Sequence, residues 1–127
     1  MVEAEMIKAL NQEIARLSGS MRENEEKVRR LRKTKSNVET EQEELINNKK
    51  IVYLPEFSST SWAGKHAAEH SNIRDSIDQI VTNIANQQVE NSLDDLEKKI
   101  NELEQENNAL RNSISANQSA IIKINNK

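Results

Sequence analysis

From Ile7 onward the apolar residues of this chain return every three or four positions. The slots are Ile7, Leu10, Ile14, Leu17, Met21, Asn24, Val28, Leu31, Lys35, Val38, Gln42 and Leu45, and all but Asn24, Lys35 and Gln42 are apolar. A stripe sustained over that many heptads belongs to a helix that packs lengthwise on another helix. The positions between the slots are almost all charged or polar, so the sequence predicts a helix over about residues 3–48. Little in the chain breaks helices, because its 127 residues include only two Gly and one Pro. Compact folds need turns, and turns draw on those residues. With 35% hydrophobic against 31% charged residues and a mean hydropathy of −0.85, long helices are expected rather than a large globular core.

A second stripe starts at Ala63 and Ala67 and continues through Ile73, Ile77, Ile80 and Ile84. It then loses its phase. The next apolar slots are Val89, Leu93, Leu96, Ile100, Leu103, Leu110, Ile114, Ile121 and Ile124, with Asn107 and Asn117 in otherwise apolar places. The step from Ile84 to Val89 is longer than the heptad allows, so the stripe slips around the helix within the Asn- and Gln-rich stretch 82–92. A bend or local unwinding near 84–92 is expected in a second helix of about 61–126.

Between the stripes lies the connection, residues 49–61, and the only Pro and all three aromatics fall close together between Tyr53 and Gly64. Pro55 disfavours helix at Leu54. Ser58 to Ser61 are N-cap candidates, which puts Trp62 in the first turn of the second helix. Two helices joined so briefly fold back on each other. The expected fold class is therefore all-α, an antiparallel two-helix hairpin of coiled-coil character with an extended second helix, forming one domain over 1–127. If the chain reverses near residue 55, positions whose numbers add to about 111 face each other. That register sets Asn24 against Gln87 and Ile7 against Glu104, giving a polar layer at the slip. It also leaves residues beyond about 105 without a partner in the chain, an overhang of some 30 Å. On this reading Leu103, Leu110, Ile114, Ile121 and Ile124 are the partner-binding residues.

Several function classes are disfavoured. The net charge of −3 offers no global basicity for nucleic acid. Cysteine is absent, which removes thiolate metal sites and thiol nucleophiles. The start MVEAEMIKAL has acids where a cleavable leader has a basic region, and no apolar run approaches a membrane span. A soluble cytosolic product with no membrane insertion is expected. His66 and His70 share a helix face, but without HExxH order or a third ligand they read as polar residues near the corner. Adjacent acids such as Glu43-Glu44 and Asp94-Asp95 point about 100° apart and do not converge for acid–base work. With no Gly-rich phosphate loop either, no enzyme activity, cofactor or metal is expected. The basic block of Lys27, Arg29, Arg30, Arg32, Lys33 and Lys35 is threaded by Val28 and Leu31 and lacks aromatics to stack bases, so it reads as solvated helix surface rather than a nucleic-acid site.

Trp62 and Gly64 stand apart from this background. Trp62 on its own is an anchor for the hairpin end. A Gly in the first turn of a helix costs up to ~1 kcal/mol against Ala, which asks for a reason such as close approach of a ring or backbone beside Trp62. Trp62-Ala63-Gly64 at the corner of two long helices resembles the WXG family of type VII secretion. The segment LPEFSSTSWAGKHAAEHSNIRDSI, residues 54–77, is similar to its YwqH-like branch, small proteins associated with LXG polymorphic toxins of Gram-positive bacteria.

That resemblance implies a non-enzymatic, chaperone-like targeting factor. It implies pairing with the N-terminal helical domain of an LXG toxin, together with a second small helical protein, and presentation to the type VII secretion machinery with Trp62 and Gly64 as the recognition corner. The chain departs from the family pattern in having His70 where an aromatic is expected, and no Tyr-x-x-x-Asp/Glu signal follows the second helix. By the family's logic the partner supplies that signal. The protein is then cytoplasmic, or exported by the type VII pathway without a cleaved signal peptide. Two rival readings are a self-associating coiled-coil spacer, which would be a homo-oligomer, and a nucleic-acid binder acting through residues 27–35.

Overall fold

The structure is a computed structural model describing residues 2–54 and 64–127. Helix α1 runs over Val2–Asn48 and passes directly into a 3-10 turn, Lys49–Tyr53. Leu54 then turns extended (φ −104°, ψ 142°), as the residue before a proline should. Helix α2 covers Gly64–Asn83, a π-helical turn covers Ile84–Gln88, and α3 covers Val89–Asn125. The fold is an all-α antiparallel hairpin, and its described residues form two compact units.

One unit joins Met1–Lys33 to Leu96–Lys127. Leu17, Ile100 and Leu103 are buried in it, Ile100 completely. The half-buried Ile7, Leu10, Ile14, Leu110, Ile114, Ile121 and Ile124 continue the stripes. Asn24 Nδ2 donates to Asn107 Oδ1 at 2.9 Å, and Asn107 Nδ2 donates to the Met21 carbonyl at 3.2 Å. Both asparagines are buried. Each amide in this layer has a partner, which removes the cost of sinking it into an apolar seam. Further along, Arg32 pairs with Glu104.

These contacts correct the expected register. Asn24 does enter a polar layer, but against Asn107 rather than Gln87, a shift of about 20 residues, or some 30 Å of helix. The cause lies at the reversal. Tyr53 meets Asp75 and Asp78, 22 and 25 residues away, whereas a reversal centred on Pro55 would have set it beside residue 58. With the longer return, residues beyond 105 are not an overhang. Ile124, Ala120 and Lys123 share a groove with Met6, Ala9 and Leu10 of α1.

The second unit is Thr34–Asp95. Here the long step in the stripe has a definite form. The Val89 N–H bonds to the Ile84 carbonyl, the i→i+5 pattern of a π turn, which accommodates one extra residue without breaking the helix. Ala85 within that turn is fully buried. Gln42 Nε2 donates to the Ala85 carbonyl at 2.7 Å and to Glu90 Oε2 at 2.8 Å.

Candidate functional site

The contact between α2 and the 3-10 turn is polar. Arg74, Asp78 and Thr82 stand one turn apart on α2 and line one face, and Lys49 and Tyr53 are the first and last residues of the 3-10 turn. Lys49 Nζ lies 3.1 Å from Asp78 Oδ1 and donates to Thr82 Oγ1 at 3.0 Å. The Tyr53 hydroxyl lies 2.7 Å from Asp78 Oδ2 and 3.0 Å from Asp75 Oδ1, and can donate its single proton to either. Buried Arg74 donates to the Tyr53 carbonyl at 3.0 Å. The Tyr53 hydroxyl, followed by the Lys49 ammonium, holds the Asp78 carboxyl below its ordinary pKa, and the two aspartates push the Tyr53 phenol up.

With Arg74, Asp75 and Asp78 bound to the 3-10 turn, the isoleucines of α2 are left exposed. Ile73, Ile77 and Ile80 are 57%, 41% and 58% exposed. Their i, i+4, i+7 spacing makes them one ridge. It is flanked by exposed Asn72, Ser76, Gln79 and Asn83, all uncharged. In the same unit an apolar groove of about 270 Å³ is lined by Val38, Leu45 and Val89 with Thr34, Asn37, Glu41 and Gln42.

The other expected sites fall as follows. Trp62 lies outside the described residues, as does the expected opening of the second helix near Thr60 or Ser61. Gly64 has φ +70° and is exposed, and among the described residues nothing lies within 4 Å of a Cβ built on it. Its need for glycine is therefore the left-handed backbone, which L side chains rarely adopt, and not a close neighbour. Leu103 is buried within the hairpin, while Leu110, Ile114, Ile121 and Ile124 are half-buried. His66 is exposed and His70 half-buried, and among the described residues no cluster of three or more His, Cys, Asp or Glu could hold a metal. In the basic block, Arg29 and Arg30 bind Glu26 and Arg32 binds Glu104.

The sequence reading missed the network around Tyr53. Its signal was present in the one-turn spacing of Arg74, Asp78 and Thr82.

The fold and these surfaces define a helical-hairpin protein with an exposed apolar ridge on α2. A family model, YwqH-like, matches residues 5–126, and the chain belongs to that family. No curated protein and no solved structure matches it. No described helix is long and apolar enough to cross a membrane.

Proposed function

We propose that this protein is a non-enzymatic, chaperone-like partner of an LXG polymorphic toxin. It binds the toxin's N-terminal helical domain by helix packing and, with a second small helical protein, presents it to the type VII secretion machinery. The observation that carries this reading is membership of the YwqH-like family over residues 5–126. A helix-pairing role also suits a chain whose described residues form a helical hairpin and leave isoleucines in water. In this role Trp62 and Gly64 form the corner read by the machinery. The half-buried Leu110, Ile114, Ile121 and Ile124 keep exposed edges open to the second helical protein.

Co-expression with an LXG toxin encoded beside it tests the proposal. The expected result is a stable complex that survives size exclusion, and loss of toxin export when this gene is deleted. No complex, together with unchanged export, overturns it.

A further inference from the structure

We infer that Gln42 of α1 is the positioning residue of the π turn, supplying the hydrogen bond that the turn withdraws from the Ala85 carbonyl, and that the turn so held is a one-residue adaptor between α2 and α3. The inference concerns this chain alone and does not depend on the toxin-partner reading.

A missing donor carries the argument. In a continuous α-helix the Ala85 carbonyl would accept from the Val89 N–H, four residues on. Here that N–H goes to the Ile84 carbonyl instead, so Ala85 loses the donor an α-helix would give it. Water does not replace it, because Ala85 is fully buried, and a buried carbonyl without a donor is costly. Gln42 Nε2 fills the place: it donates to the Ala85 carbonyl at 2.7 Å and to Glu90 Oε2 at 2.8 Å. Both N–H groups of the amide are thereby used on the turn and on the start of α3.

The place of Gln42 in α1 agrees. It interrupts the apolar stripe between Val38 and Leu45, which line an apolar groove with Val89. A polar residue in such a slot ordinarily lowers stability. Satisfying the Ala85 carbonyl reverses that expectation at this one position.

The adaptor role follows from the phase of the helix. One extra residue in a continuous α-helix rotates everything beyond it by about 100°. Through the π turn Val89 follows Ile84 as an i+4 residue would, so the extra residue is absorbed locally. On one side Arg74 and Asp78 stay on Tyr53 and Lys49. On the other Val89 stays in the groove and Leu93 stays buried.

The test is denaturant unfolding of the whole chain as wild type, as Gln42→Met, with Gln87 deleted, and with both changes. Gln87 is exposed within the turn. Its deletion makes the step from Ile84 to Val89 an ordinary α-helical one and brings the Glu90 N–H to the Ala85 carbonyl. The expected result is that Gln42→Met raises the unfolding constant at least ~10-fold in the wild-type chain, although it makes the stripe more apolar. In the shortened chain, which is expected to fold, the same substitution should change that constant by less than ~3-fold. An unchanged or lowered unfolding constant for Gln42→Met in the wild-type chain overturns the inference, as does an equal rise in both chains. A shortened chain that does not fold overturns it too, because the extra residue would then be more than an adaptor.

Discussion

In the unit built from residues 1–33 and 96–127 the buried side chains are those of the apolar stripes and the Asn24–Asn107 layer, while arginines and glutamates pair on water-facing helix surface. In the unit Thr34–Asp95 part of that order is inverted: an arginine is buried, two aspartates bind Lys49 and Tyr53 of the 3-10 turn, and three isoleucines on the same helix are exposed. The first arrangement satisfies its own helices. The second leaves apolar surface that its own hairpin does not cover. The contrast shows that α2 commits its charged face to the 3-10 turn and leaves its isoleucines exposed, the reverse of the seam around Ile100.

The largest expected effect is in the first unit. Ile100→Ala removes a fully buried side chain and should cost about 2–5 kcal/mol in denaturant unfolding. Ile77→Ala should change stability by no more than about 0.5 kcal/mol. Equal losses would break the distinction between inward and outward stripes.

Next comes the asparagine layer. Asn24→Ala leaves the buried Asn107 Oδ1 without its donor and should cost about 1–3 kcal/mol, whereas Asn24→Leu with Asn107→Leu should be near neutral or stabilising. A double-mutant cycle separates the two cases. Arg74→Met should cost about 1 kcal/mol by withdrawing the donor from the Tyr53 carbonyl.

A pH titration compares the carboxylates of the two units. Asp78 has its folded-state pKa lowered from 3.8. Its contribution to stability is complete above that value and is lost as pH falls through the lowered one. Glu26 is held, first by Arg29, at about 2 against an ordinary 4.5, so its contribution is likewise present above 4.5 and lost on the way down to about 2. Carboxyl carbon shifts should show both groups titrating late. Tyr53→Phe should return Asp78 toward its ordinary value without moving Glu26. The smallest effect is expected for Arg16→Ala, which breaks only an exposed one-turn pair with Glu13 and should stay within about 0.5 kcal/mol.

Much of the hairpin was legible because a stripe of apolar residues at helical spacing has few other uses. The three off-pattern slots of α1 were legible as exceptions, and two have a physical role: Asn24 binds Asn107, and Gln42 binds the π turn. The five-residue step from Ile84 to Val89 was visible as a slip, but not as a π turn, since spacing alone does not choose between unwinding, bending and an i→i+5 bond. The register was not legible. It depends on where the chain reverses, and Pro55 marks only the end of the first arm. The outward ridge was hidden for a related reason, because Ile73, Ile77 and Ile80 have the spacing of a core stripe. Only the partners of Arg74 and Asp78 reveal which face of α2 meets the 3-10 turn.

Because the chain has no cysteine, single thiols can report directly on that face. Ile77→Cys and Leu103→Cys, labelled in the free protein, test the central claim. The account predicts that the thiol at position 77 reacts at nearly the rate of a free thiol, while the thiol at 103 is protected. A thiol at 77 that is protected, or one at 103 that reacts equally fast, would contradict it.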